Sequence, residues 1–239
     1  MDAKHNLSVL QEAWDGCTRC AIHTVRPSDN IYFGFGSPTP KYLIVGGVPT
    51  ETDEKFSSLF AGEQGELLFS ILERCKIDIE DCYFTYALSC RPTVTIPATE
   101  TEKEKVETRE PTKEEYVACR PRLNEILYQT DPRTIITLGE IATKAVIRGR
   151  LRKFLDAVGK QYIALLPRRE SGDKNIEGRA RYFDIPYPVF AAPDMATILN
   201  NPSQADHGPL QVAVRTIDRA RIYTDFVIRS EQETMRKKE

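Results

Sequence analysis

The chain has 239 residues, a formal net charge of −2 and a charged fraction of 28%, which suits one large domain, residues 1–239, with a sizeable core. Its 41% hydrophobic content gathers in no run near the ~18 residues that cross a bilayer. The polar opening MDAKHNLSVLQEAW lacks the apolar core of a secretion signal, so a cytoplasmic setting without a membrane role is expected. The charge balance excludes a surface coated in basic nucleic-acid-binding residues, though not a local basic groove.

In chain order, residues 7–16 predict a short helix leading into Cys17-Thr-Arg-Cys20. Tyr42-Leu-Ile-Val45, ending in Gly46-Gly47, predicts a buried parallel strand. From Phe60 to Lys76, apolar residues at 67, 68, 71, 72 and 75 keep the spacing of an amphipathic helix. Cys82 to Leu88 predicts a second strand. Thr112-Lys-Glu-Glu115 has the form of a capping box, so a helix should start there with Tyr116, Val117, Leu123, Ile126 and Leu127 on its apolar face. Thr134 to Leu138 predicts a third strand and Ile141 to Ile147 a helix. Short strands are expected at Tyr162–Leu166 and Tyr187–Ala191. Helices are expected at Pro193–Asn200 and within residues 208–239, from Leu210 to about Arg229, ahead of a charged tail.

Strands alternating with helices predict an α/β fold with a mostly parallel sheet covered on both faces. Ligands of such sheets bind beyond the carboxyl ends of the strands. Function is therefore expected at Gly46–Thr50, Tyr86–Cys90, Gly139–Glu140 and Ala191–Asp194. Residues 95–111, rich in Glu, Lys and Thr with almost nothing to bury, predict a solvated insertion loop.

The six cysteines read as two groups. In a reducing compartment a CxxC pair points to a metal or redox centre rather than to a disulfide. Cys17 and Cys20 form such a pair, Cys90 follows the second strand, and Cys119 lies in the capped helix. Four thiolates in this arrangement accept zinc or an iron–sulfur cluster, and spacing alone leaves both open. Cys75 and Cys82, on a helix's apolar face and at a strand's start, read as core.

Several segments together resemble the iron–sulfur-containing, family-four branch of the uracil-DNA glycosylases. They are the CxxC pair, Ile31-Tyr-Phe-Gly-Phe-Gly-Ser-Pro38, Val45-Gly-Gly-Val-Pro49 and Leu59-Phe-Ala-Gly-Glu-Gln-Gly-Glu-Leu-Leu68. Asp81 to Pro92 with its Ser-Cys-Arg-Pro ending, and Glu115 to Gly139 with Ala118-Cys119-Arg120-Pro121, complete the set. The resemblance runs from about residue 8 to 202, in the family's order. It implies three α/β/α layers around a mostly parallel four-stranded sheet, DNA across the strand ends, and a [4Fe–4S] cluster on Cys17, Cys20, Cys90 and Cys119, with zinc as the alternative. It also implies a base pocket at Gly46, Gly47, Phe60 and Tyr86, with Phe60 as the aromatic that stacks on a flipped base. A loop of Ala192, Pro193, Asp194 and Met195 would press into the DNA, with Met195 as an apolar wedge.

The departures from the family fall on its chemistry. Gly47 stands where a carboxylate-bearing residue helps water attack. Tyr86 stands where an asparagine reads the uracil edge, and has the wrong donor–acceptor pattern for that contact. Ala192 stands where a histidine stabilises the departing base, and His5, His23 and His207 all lie away from the predicted strand ends. Preorganised polar groups of this kind are typically worth ~3–4 kcal/mol each. Asp53 and Glu54 match acidic positions after the first motif; Asp53 is a candidate to orient a water, against the plainer reading of a solvated loop. Arg148, Arg150, Arg152, Lys153, Arg168 and Arg169 are candidate phosphate contacts, and Arg91, Arg120 and Arg122 neighbour the cysteines.

These readings predict a DNA-binding iron–sulfur protein with lost or much reduced uracil excision, acting as a replication or repair accessory. An active glycosylase for uracil or another modified base is the alternative. A third reading is a module that binds a replication or repair protein through the insertion or the C-terminal helix.

Overall fold

The computed structural model describes residues 3–99, 103–147, 154, 157–174, 180–201, 203 and 205–237, with the backbone alone at 3–5, 166–174 and 180–185. The apolar runs become the centre of a sheet. Strands β2 (Tyr42–Gly46), β3 (Cys82–Tyr86) and β6 (Thr134–Leu138) are buried at every position, as strands covered on both faces must be. With β8 (Ala180–Ala192) they form four parallel strands in the order β3-β2-β6-β8. Ile44 lies beside Phe84 on one side and Ile136 on the other.

The expected four-stranded sheet is enlarged to six by antiparallel edges. Short β1 (Phe35–Gly36) pairs with β3, and β7 (Gln161–Lys174) pairs with β8. The two strands expected at 162–166 and 187–191 are thus parts of one long hairpin. The backbone pairing continues beyond the expected strands, with Pro167, Arg168 and Arg169 opposite Asp184, Phe183 and Tyr182.

The two faces carry separate cores. Ile44, Phe84, Tyr86, Ile136 and Phe190 pack with α4 (Gly62–Arg74), α7 (Met195–Asn200) and α8 (Pro209–Arg236). Leu43, Val45, Tyr83, Ile135 and Val189 pack with α1 (Ala3–Trp14), α5 (Lys113–Thr130) and α6 (Gly139–Ile147). Alternate strand residues thus face opposite layers, as the pleat requires. The result is a three-layer α/β/α sandwich. Two smaller helices, α2 (Ile22–Val25) and α3 (Glu51–Phe56), sit in the connections. Val117, expected on the apolar face of α5, is 50% exposed, because the buried stripe of the helix runs through Glu115, Arg122, Leu123, Ile126 and Leu127 and leaves position 117 off it. Among the described residues no helix is long and apolar enough to cross a membrane.

The insertion is more ordered than a loop. Residues Thr93–Ile96 and Lys105–Thr108 form an antiparallel ribbon, β4 and β5, with Thr95 opposite Val106. Its β5 side chains are all exposed. Cross-strand backbone pairing orders it where side-chain burial does not. Its foot is tied to α5: Arg109 donates twice to the buried Glu115 carboxylate, at 2.9 and 2.6 Å, and Glu115 also closes the capping box with Thr112.

The Arg109 hydrogen bonds hold the Glu115 carboxyl below the usual glutamate range against the opposing cost of burial. A depressed carboxyl contributes stability that is present above its unfolded value of about 4.3 and lost as pH falls through the folded value. Acidification from about pH 6 to about pH 3 is therefore expected to lower the urea midpoint of the native protein more than that of Glu115→Gln. Parallel loss in both proteins would contradict this assignment.

Candidate base pocket and cysteine centre

The carboxyl ends of the parallel strands open on a cavity of about 540 Å³. Gly46, Gly47, Phe60, Tyr86, Asp53, Asp194 and Met195 all line it, so the structure gathers most of the expected residues. It includes Glu140 from the expected Gly139–Glu140 strand end and adds Gln64 and Ile141, and also Thr108 and Glu110 from the foot of the ribbon. Nothing in the sequence signals the last two, since their approach depends on how the ribbon folds back.

Tyr86 dominates the inner wall. Its ring stacks on Phe60, with centroids 4.5 Å apart and planes 24° from parallel. Its hydroxyl donates to Asp53 Oδ2 at 2.8 Å and accepts from the Phe60 backbone N–H at 3.0 Å. Burial, with the Asp53 charge beside it, pushes the phenol far above its usual range, so Tyr86 stays a neutral donor. Phe60 itself has a φ of 53°, an uncommon conformation for a bulky residue. The following helix accommodates that turn: a Cβ on Gly65 would sit 1.6 Å from the Phe60 carbonyl oxygen. The QG spacing in the pocket-wall segment is therefore a packing requirement.

Asp53 departs from the reading of a solvated loop. It is wholly buried rather than solvated. Its Oδ2 accepts from the Thr50 N–H (2.6 Å), the Thr50 hydroxyl (2.9 Å) and Tyr86, and Oδ1 accepts from the Ala61 N–H (2.8 Å). An ionised carboxylate has about four lone-pair sites. Three donors meet Oδ2 and one meets Oδ1, so Asp53 caps α3 and fixes Tyr86.

The segment Ala192–Met195 is less exposed than a protruding loop. Ala192 ends β8 with no exposure, and Met195 is 4% exposed in the core beneath α7. Asp194 caps α7, accepting from the Thr197 N–H at 2.7 Å and the Thr197 hydroxyl at 2.8 Å. That cap turns the chain inward, and Met195 forms pocket wall rather than a protruding wedge.

The four cysteines expected to act together lie around one pocket. Cys17, Cys20, Cys90 and Cys119 line one small pocket with Trp14, Ile22 and Leu88. All four are free thiols. Cys75 and Cys82 are buried elsewhere in the core, as expected. Among the described residues no group of three or more His, Cys, Asp or Glu side chains is placed to hold a metal ion. Burial raises the Cys20 and Cys90 thiols. At Cys119 burial also acts upward, but the Arg122 guanidinium and the hydrogen bonds from Ser89 outweigh it and hold the thiol below its ordinary value.

Two of the arginines that neighbour the cysteines are buried. Arg91 is 4% exposed and pairs with Glu54 at 2.7 Å. Arg122 has no exposure and donates to the carbonyls of Phe33 (2.9 Å), Tyr86 and Ala87 and to the Thr85 hydroxyl (3.0 Å). Arg120 is half-buried. Arg148, Arg150, Arg152 and Lys153 lie outside the described residues, and of Arg168 and Arg169 only the backbone is described.

The donor set and its surroundings fit an anionic, sulfur-bound group. Among the described residues, the buried side-chain nitrogens without a hydrogen-bond partner are Arg26 Nε and Arg122 Nε. Both arginines border the cysteines, since Arg26 donates to Cys90 Sγ at 3.7 Å. An orphaned buried donor is costly unless an acceptor joins it.

A model of the uracil DNA glycosylase superfamily matches residues 33–217. The chain belongs to that superfamily. It is 31% identical over 160 residues to the type-4 uracil-DNA glycosylase of Pyrobaculum aerophilum, covering 66% of this chain and 74% of that protein. To the type-4 enzyme of Thermotoga maritima it is 28% identical over 144 residues, covering 60% and 67%. To that of Sulfurisphaera tokodaii it is 26% identical over 162 residues, covering 66% and 67%. The matched span takes in the whole strand-end pocket, Cys90 and Cys119, while Cys17 and Cys20 precede it.

Within this glycosylase scaffold Gly46, Gly47 and Ala192 are each closely packed. A Cβ on Gly47 would lie 3.2 Å from Ile141 Cβ, so a longer side chain there meets α6. Ala192 is enclosed in the core. A Cβ on Gly46 would meet two Tyr86 ring carbons at 2.7 Å. That ring is pinned at its hydroxyl, so it cannot swing aside cheaply. Gly46→Ala is expected to destabilise the protein by about 1–3 kcal/mol, the usual cost of overpacking, as read from the urea midpoint. An unchanged midpoint would mean that the Tyr86 ring is free to move.

Proposed function

We propose that this chain is a DNA-binding iron–sulfur protein on a glycosylase scaffold with lost or much reduced uracil excision, serving as a replication or repair accessory. The observation that carries the reading is the Tyr86–Phe60 stack. The aromatic face that should receive a flipped base already has a tyrosine ring 4.5 Å away, and that ring is tied down at Asp53. The base-reading amide is absent from the same position. The water-positioning carboxylate and the imidazole are missing as well, with Gly47 and Ala192 in their places. These groups act as a unit in glycosidic cleavage, so their joint absence is worth more than any one loss.

Cys17, Cys20, Cys90 and Cys119 would hold a [4Fe–4S] cluster. Bound there, such a cluster supplies a one-electron redox centre and a cross-link between the N-terminal segment, the end of β3 and α5. Brown protein with broad visible absorbance supports the cluster, and colourless metal-bound protein supports zinc.

A second reading is favoured by the cavity that remains beyond the stack, about 540 Å³ at the strand ends. In that reading the protein hydrolyses the glycosidic bond of another modified base, with Tyr86 shaping its slot. Cluster-loaded protein is to be tested for binding to single- and double-stranded DNA, and for excision from oligonucleotides carrying uracil and varied modified bases. Binding without uracil excision supports the first reading, and excision of a different base supports the second. No binding to DNA at low salt, together with a stable protein complex, overturns both.

A further inference from the structure

The two orphaned nitrogens belong to arginines whose charges have no buried counterpart. The Arg122 side chain has no exposure, and its other nitrogens reach only neutral oxygens. The Arg26 side chain is 8% exposed, and its ion partner, at 3.6 Å, is the fully exposed Asp29. Its Nη1 reaches the Cys17 carbonyl at 3.4 Å and the Cys90 sulfur at 3.7 Å. A guanidinium removed from water needs opposite charge close by. Among the described residues no carboxylate pairs with Arg122.

We propose that Arg26 and Arg122 are working parts of the cysteine centre: non-ligand residues that neutralise an anionic cluster and donate N–H groups to its sulfur atoms. The proposal rests on the reading that the four cysteines hold such a cluster. Four thiolates leave an iron–sulfur centre with net negative charge. Net charge and hydrogen bonds to sulfur are what set its potential. Each added electron deepens that charge, so cationic partners favour the reduced state. Arg122 approaches from α5 on the Cys119 side, and Arg26 follows α2 and reaches Cys90. The two therefore serve different ligands.

The test uses the full chain, loaded anaerobically with iron and sulfide, as wild type, Arg26→Met, Arg26→Lys, Arg122→Met and Arg122→Lys. The native protein is expected to take up a [4Fe–4S] cluster by iron and sulfide content. Both methionine variants should lose it several times faster to a chelator. Their midpoint potentials should be more negative, by about tenfold in the one-electron equilibrium, or about 59 mV. The lysine variants should retain most of the native potential, which a merely structural role does not predict. If Arg122→Met does not fold, Arg26→Met decides, because Arg26 follows the short helix α2, outside the sheet and its covering helices. Unchanged potential and unchanged loss rate in Arg26→Met, with the native cluster present, would overturn the proposal alone. Native protein that takes up no iron and sulfide would overturn the cluster reading, and the proposal with it.

Discussion

Asp53→Ala is expected to cost about 4 kcal/mol of stability, more than ordinary single substitutions. The carboxylate closes the capping box of α3, and losing a cap typically costs about 0.5–2 kcal/mol. It is also the acceptor for the Ala61 N–H and the Tyr86 hydroxyl. A buried donor left without its acceptor costs about 1–3 kcal/mol, and effects within one network are not strictly additive. For a domain of this size the melting temperature should fall by roughly 8–16 °C. Asp53→Asn separates the two roles considered for this residue. An amide nitrogen cannot accept, so at least the Ala61 N–H loses its partner and the protein should be destabilised by about 1–3 kcal/mol. A water-orienting carboxylate would behave otherwise, with stability retained and activity lost. Thermal melts of both variants, with excision assays on any active substrate, distinguish these outcomes.

Cys119→Ala is expected to remove the cluster and to destabilise the protein by several kcal/mol, because binding energy at a site absent from the unfolded chain is folding energy. The thiol is buried on α5, between Ser89 at 3.6 Å and the Arg122 charge. Its loss also leaves that guanidinium without an anion. Cys75→Ala supplies the control. It removes a buried thiol remote from the pocket and should leave iron and sulfide content native, at an ordinary cost for a small core deletion. Equal cluster content in Cys119→Ala and wild type would contradict the assignment of this ligand.

The parallel strands were legible because burial on both faces demands unbroken apolar runs such as Tyr42–Val45 and Thr134–Leu138. The capping box at Thr112 was legible because its partners are three residues apart. The cysteine centre could be read from one local pair and a family pattern, although Cys90 and Cys119 reach it from separate elements. What could not be read depends on contacts across long stretches of sequence. Asp53 looks like loop surface until Tyr86, 33 residues away, is placed against it. Arg122 reads as an exposed charge on a helix until the β3 carbonyls surround it. Met195 looks free to intercalate until the Asp194 cap turns it into the core. The ribbon at 93–108 carries almost no apolar signal, since it is held by backbone pairing at the surface.

The Tyr86–Phe60 stack and the positions of Gly47 and Ala192 bear on one measurement more than on any other. Cluster-loaded protein is incubated with single- and double-stranded oligonucleotides carrying one uracil, and strand breakage is scored after alkaline treatment beside a type-4 uracil-DNA glycosylase at equal concentration. The account predicts DNA binding with uracil left in place, or removed at least about 10³-fold more slowly than by the type-4 enzyme, from the loss of groups worth ~3–4 kcal/mol each. Excision at a rate matching the type-4 enzyme would contradict it.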